Sequence, residues 1–340
     1  MESAMHTGLD DSSAAAVVER VASSARAAAA VLGGRLAPTP VREALALDPS
    51  GGLHLKMESF QPTGSFKIRG ATYRIATLSD AERAAGVVAA STGNHGAAVA
   101  HAARAAGVKA TVVLPETAAP ARVAAIESRG AEVLRHGAEC GAAELHARGL
   151  AESSGRVFLS PYNDADVMAG QGSMGVELLE QLPDLERVYI AVGGGGLTGG
   201  VACALKDSRP NIEVVGCSPA ASYPMHASVE AGRLTDTPHL DTLSVATAGG
   251  LEEGTVTLSP CQAAVDRWEL VEEAAISWAL FELITKERTL AEGAVGVPLA
   301  VWSRDREADL AAGRTPAKAC VIVCGGNLDA EHLAALMDTH

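Results

Sequence analysis

At 340 residues the chain exceeds the size at which one hydrophobic core stays efficient, so one large or two medium domains are expected. Apolar residues make up 48% of it but aromatic residues only 3%; this alanine-rich balance suits helices packed on sheets of Val, Ile and Leu and speaks against an all-β binding module. A formal charge of -14 without clustered Lys or Arg argues against a nucleic-acid partner.

Met1 to Ser13 carries Glu2, Asp10 and Asp11 and no apolar core, so it reads as neither a signal peptide nor a mitochondrial presequence. The alanine-rich stretch 27–32 is far too short to span a bilayer, and a cytoplasmic protein is expected. Six cysteines, at 140, 203, 217, 261, 320 and 324, show neither Cys-x-x-Cys nor Cys/His ligand spacing. Most of them are expected to be small buried hydrophobes.

Residues 14–31 read as a helix, Ala and Val broken by Glu19, Arg20 and Arg26, and Pro38-Thr39-Pro40 ends that region. Strand and helix then alternate. Strands are predicted over 54–58, 86–90, 110–114, 132–135, 187–191, 212–217, 268–271 and 319–323. Several are unbroken apolar runs, as expected of strands covered on both faces in a parallel sheet. Helices are predicted to begin after Gly93-Asn94, at Ala119-Pro120 and after Gly196. No boundary shows along the chain, so a second domain would be inserted into the first.

Chemistry concentrates at four points. Lys67 stands in Pro62-Thr63-Gly64-Ser65-Phe66-Lys67-Ile68-Arg69-Gly70, where small residues let a ligand approach the backbone. A buried lysine of depressed pKa can form a Schiff base, although alone this is as well read as an ordinary helix-start lysine. Ser91-Thr92-Gly93-Asn94-His95-Gly96 follows a strand; its hydroxyls and amides can hold a carboxylate, and Asn94 can offer an amide to a phenolic oxygen. By itself that motif is no more than a helix cap.

Gly193-Gly194-Gly195-Gly196-Leu197 lies between the apolar run 188–192 and a helix-compatible stretch, 198–206. Four glycines leave their N–H groups free to converge on an anion at a helix N-terminus, which makes this a phosphate cradle rather than a merely flexible loop. No Lys-Ser/Thr follows, so it is not a nucleotide-triphosphate loop. Val321-Ile322-Val323-Cys324-Gly325-Gly326-Asn327 is a strand emerging into a Gly-rich turn, at the kind of edge where ligands of open α/β sheets collect. Cys324 reads as a thiol against a cofactor ring rather than a packed core cysteine.

In this order and spacing, from Pro38 to Asn327, the motifs resemble those of the fold type II pyridoxal-phosphate enzymes, in the serine/threonine dehydratase and serine racemase branch. Further matches are Ala169-Gly170-Gln171-Gly172-Ser173 with Glu177, and Ala291-Glu292-Gly293-Ala294. The resemblance implies a tryptophan synthase β-like fold of two open twisted α/β domains. Residues 1–58 and 156–340 would form the large one and 59–155 a smaller inserted one, with pyridoxal 5'-phosphate between them. It implies Lys67 as Schiff-base lysine and α-proton base, with Phe66 beside it against the coenzyme. Asn94 would bind the coenzyme's 3'-oxygen, and Gly193, Gly194, Gly195, Gly196 and Leu197 its phosphate. Ser91, Thr92, Gly93 and His95 would surround the substrate carboxylate. Cys324 would face the pyridine nitrogen, where most relatives have Ser; a neutral group there favours prompt loss of a β-leaving group over proton exchange.

Two stretches depart from the family pattern. Cys217-Ser218-Pro219-Ala220-Ala221-Ser222-Tyr223-Pro224 lacks the carboxylates of the racemase-like metal loop, so no metal is expected. Loop 243–252 contains Ser-Val-Ala-Thr-Ala-Gly-Gly-Leu-Glu in place of the usual Ala-Asp-Gly-Ile-Ala, and with Met225-His226-Ala227-Ser228 it is closer to the hydroxyectoine-utilisation dehydratase subgroup. Only 328–340 follow the last motif, so an end-product regulatory domain is not expected. The expected protein is a homodimeric ammonia-lyase that converts a threonine- or serine-like β-hydroxy amino acid to a 2-oxo acid and ammonia by α,β-elimination. The alternatives are a β-replacement synthase, a racemase, or a coenzyme-binding amino-acid sensor without turnover.

Overall fold

Ser13 is the first residue that the computed structural model describes, the described residues being 13–340, so the stretch read as lacking a targeting signal lies, Ser13 apart, outside them. Its hydroxyl accepts from Ala16 N at 3.3 Å and caps α1 (Ala14–Leu32). Val17, Val21, Ala25, Ala28 and Leu32 recur at helical spacing and form the buried stripe. The helix stops at Leu32, several residues before Pro38, at a glycine rather than at the proline pair.

Then come β1 (Val41–Glu43), β2 (Leu53–Lys56), a 3-10 turn (Glu58–Phe60), α2 (Lys67–Ala76) and α3 (Asp80–Ala85). A βα alternation follows as β3 (Val87–Ala90), α4 (Asn94–Ala106), β4 (Ala110–Leu114), α5 (Pro120–Glu127), β5 (Glu132–Arg135), α6 (Cys140–Ser154) and β6 (Val157–Phe158). It continues with α7 (Ala165–Gln181), β7 (Arg187–Ala191), α8 (Gly196–Ser208), β8 (Glu213–Pro219), α9 (Pro224–Ala231), α10 (Leu258–Ala264) and β9 (Arg267–Val271). The last elements are α11 (Glu273–Glu287), α12 (Gly293–Ala311), β10 (Ala319–Ile322) and α13 (Ala330–Thr339).

Two sheets result. The larger runs β1-β2-β10-β7-β8-β9, parallel except for the antiparallel β1–β2 pair. The smaller runs β5-β4-β3-β6 and is parallel throughout. Leu53, Leu55, Val188, Ile190, Val214, Val321 and Ile322 are fully buried, as strands covered on both faces require. Helices α8 and α12 pack on the larger sheet, α4 and α6 on the smaller, and α7 packs against α1, α2 and α8.

Two strands lie outside the sequence expectations. β1 is the three-residue Val-Arg-Glu at a sheet edge, and β6 is a two-residue strand; neither is long enough to show a period. β6 pairs with β3, so the smaller sheet extends past residue 155. The ends of β3, β7 and β10 carry the three Gly-containing turns. An antiparallel bridge between Ser65 and Gly325, with Phe66 N donating to Cys324 O at 2.9 Å, lays the segment leading to Lys67 across the end of β10.

Candidate active site

Lys67 is the first residue of α2, and its Nζ donates to Pro161 O at 2.8 Å. The Phe66 ring centre lies 5.2 Å from the same nitrogen. Burial pulls the amine from its ordinary 10.5 to about 8, against the opposing influence of Cys324 and Glu292. Cys324 itself is buried, and burial, with Glu292 adding to it, pushes its thiol well above the ordinary range. It is an uncharged thiol.

Asn94, at the start of α4, connects three segments. Its Nδ2 donates to Oε1 and Oε2 of Glu292, each at 2.9 Å. Its Oδ1 accepts from Asn327 Nδ2 at 2.6 Å, and Asn327 Nδ2 also lies 2.9 Å from Thr63 O. The turn before Lys67, the β3–α4 turn and the chain after β10 are thereby held together. In the sequence Glu292 is marked only as part of the Ala291-Glu292-Gly293-Ala294 match, with no role of its own, and Pro161 is not marked at all. The available signal for Glu292 is a lone carboxyl among Ala291, Gly293, Ala294 and Val295; for Pro161 there is none, because only its carbonyl is used.

The tetraglycine loop caps α8 through Gly195, which takes the left-handed backbone (φ 81°) that glycine accepts without strain. A Cβ on Gly194 would collide with the Tyr162 ring, so the close packing of these two residues also requires glycine. Thr257 Oγ1 donates to Gly194 O at 2.7 Å and fixes the loop from outside. Among the described residues, no protein acceptor takes the backbone N–H groups of 193–197. Unpaired amides at the N-terminus of a 13-residue helix are able to receive an anion.

Ser91, Thr92 and Gly93 lie half-buried between β3 and α4, with Ser91 Oγ accepting from Gly93 N at 3.2 Å. His95 is buried behind them, its Nε2 2.8 Å from Leu159 O. A carbonyl can only accept, so Nε2 carries the proton. Burial first and Lys67 second lower the imidazole to about 3, so it stays neutral. Its free Nδ1 is therefore an acceptor and does not donate to a carboxylate. Among the described residues no cluster of three or more His, Cys, Asp and Glu is arranged to hold a metal ion.

A family model described as pyridoxal-phosphate dependent enzyme matches residues 33–325. The chain belongs to that family. Over 281 residues this pyridoxal-phosphate enzyme is 39% identical to the L-threonine ammonia-lyase of Thermotoga maritima, covering 82% of this chain and 68% of that one. Over 287 residues it is 35% identical to the catabolic L-threonine dehydratase TdcB of Escherichia coli K12, covering 84% and 86%. Maize serine racemase superposes with a TM-score of 0.85 at 32% identity, covering 94% of this chain and 97% of that one. The enzyme has the type II fold, in the serine/threonine dehydratase branch, and its coenzyme is pyridoxal 5'-phosphate. The unpaired amides of 193–197 and the depressed Lys67 amine suit the phosphate and the aldehyde of that coenzyme.

Proposed function

We propose that this enzyme removes water and then ammonia from a threonine- or serine-like β-hydroxy amino acid, leaving a 2-oxo acid. The observation that carries the proposal is Cys324, an uncharged thiol buried at the end of the strand that meets the Lys67 turn. The names of the threonine ammonia-lyase and threonine dehydratase relatives support the same substrate class.

Residues 193–197 would hold the coenzyme's phosphate, Lys67 its aldehyde carbon, Asn94 its phenolic oxygen and Cys324 its ring nitrogen, with Phe66 beside the ring. When bound, the coenzyme supplies an electron sink for a bond breaking at Cα. Lys67 then takes the α-proton, with an amine already partly neutral at pH 7. A neutral thiol at the ring nitrogen favours prompt loss of the β-substituent over return of that proton. Ser91, Thr92 and Gly93 would bind the substrate carboxylate, and His95 would support them from behind by its bond to Leu159 O. We further propose a homodimer in the cytoplasm without a nucleic-acid partner. The charge of -14 supports the last point, and no helix among the described residues is long and apolar enough to cross a membrane.

The test is a panel of β-hydroxy amino acids assayed for 2-oxo acid and ammonia, with Lys67→Ala as control. Serine or threonine should give both products in equal amounts. Lys67→Ala should lose the yellow absorbance, stay folded and fall by at least about a hundredfold. Inverted substrate without 2-oxo acid would move the assignment to a racemase, product only with an added nucleophile to a β-replacement synthase, and binding without turnover to a sensor.

A further inference from the structure

Thr257 is fully buried at the N-cap of α10, outside every motif marked in the sequence. Its Oγ1 lies 2.7 Å from Gly194 O and 2.9 Å from Thr255 Oγ1. A carbonyl can only accept, so the one Thr257 proton goes to Gly194 and the Thr255 hydroxyl donates to Thr257. Among the described residues no other donor reaches Gly194 O. Thr257 is fixed in its turn: Val256 N donates to Asn163 Oδ1 at 2.9 Å, Asn163 Nδ2 donates to Glu252 at 3.0 Å, and Cys261 N donates to Thr257 O at 3.1 Å.

In a trans peptide the C=O and the following N–H point in opposite directions, and no peptide of the described chain is cis. The bond to Thr257 therefore turns the Gly195 N–H away from Thr257. At the next peptide Gly195 O accepts from Gly199 N at 2.8 Å, which turns the Gly196 N–H out of the helix start in the same way. The helix itself holds that second carbonyl, whereas the first depends on one side chain. Gly195 is buried, and among the described residues its N–H has no acceptor, the mark of a donor kept for a ligand. We propose that Thr257 is a positioning residue of the phosphate seat: it holds Gly194 O so that the Gly195 N–H stays available to the coenzyme's phosphate. This rests on the reading above that 193–197 hold that phosphate. Without the hydroxyl, a peptide flanked by glycines is no longer held in one orientation, and its amide is lost to the anion. The Lys67 end of the site is untouched, because that amine bonds Pro161 O.

The experiment titrates the coenzyme-free protein with pyridoxal 5'-phosphate and with pyridoxal, which carries the same aldehyde on the same ring and no phosphate. Wild type is compared with Thr257→Val, nearly the same shape without a donor, and with Thr257→Ser, which keeps the donor. Wild type should hold pyridoxal 5'-phosphate at least about a hundredfold more tightly than pyridoxal. In Thr257→Val the Kd for the phosphorylated form should rise about tenfold while that for pyridoxal changes less than about twofold. Thr257→Ser should stay within about threefold of wild type on both. An equal rise for both ligands, no rise for either, or a serine variant as weak as the valine one overturns the role of Thr257 alone. A wild type that takes both ligands equally well overturns the reading of 193–197 as the phosphate seat, and the role of Thr257 with it. If Thr257→Val does not fold, Thr257→Ala takes its place under the same criteria.

Discussion

Lys67 gains its reactivity from its surroundings, because an amine at about 8 is neutral in about a tenth of molecules at pH 7, against roughly one in three thousand for an ordinary lysine. The neutral form is the nucleophile, so capture of coenzyme by the coenzyme-free protein should speed up with rising pH and level off above a midpoint near 8. Stopped-flow absorbance across pH 6 to 10 reads this directly; a midpoint near 10 would mean an amine bathed in water. Much of this is legible in the sequence, because Gly64, Ser65 and Phe66 flank Lys67 directly and the four glycines need no distant partner to mark an anion site. The Glu292 contact is not legible in the same way. It joins residues 198 apart, and nothing local to either position foretells which carboxyl an asparagine will meet.

Helix α2 is fastened two residues beyond Lys67. Arg69 donates through Nε and Nη2 to Glu58, both at 2.7 Å, and through Nη1 to Glu177 at 2.6 Å. Lys56 Nζ bonds Glu177, Gln181 and Thr39 O at 2.5, 2.8 and 2.9 Å. Arg69 and Glu58 are 1% and 0% exposed, so the two cations and two carboxylates must balance one another inside the protein. Removing one member strands its partners: Arg69→Met should cost about 3–5 kcal/mol in urea denaturation of the coenzyme-free protein. Glu58→Leu with Arg69→Met should recover part of that loss, and a double variant no better than the single would show that the cost is one of packing rather than charge. The network locks β2, α2 and α7 in one arrangement. Among the strands, those buried on both faces announce themselves as apolar runs, whereas β1 and β6 exist because Leu53–Lys56 and Val87–Ala90 lie beside them. Their own residues, Val-Arg-Glu and Val-Phe, suit a turn as well as a strand.

Across the whole molecule, the segment 232–257 between α9 and α10 has neither helix nor strand and is pinned through Glu252. That carboxylate takes Arg148 at 2.6 Å, Asn163 at 3.0 Å and Ser160 at 3.3 Å, and Glu252 N donates to Tyr162 Oη at 2.9 Å. Arg148 comes from α6, which packs on the smaller sheet, so the contact ties this segment to that layer. Because the pair is partly exposed, Glu252→Ala should cost no more than about 1 kcal/mol overall. It should nevertheless speed protease cleavage within 232–257, which limited digestion with mass spectrometry would locate. Unchanged cleavage would place the hold on this segment elsewhere. The strand order has a consequence for the making of the protein. The smaller sheet draws on the nearly continuous stretch 87–158 and can close while synthesis is still under way. The larger sheet cannot, since β10 must slot between β2 and β7, and until Ala319–Ile322 has emerged both of those strands present bare edges. That same late insertion delivers Cys324 and Asn327 to the Lys67 turn. A nascent chain halted short of β10 is thus both prone to stick to its neighbours and without a finished seat for its coenzyme.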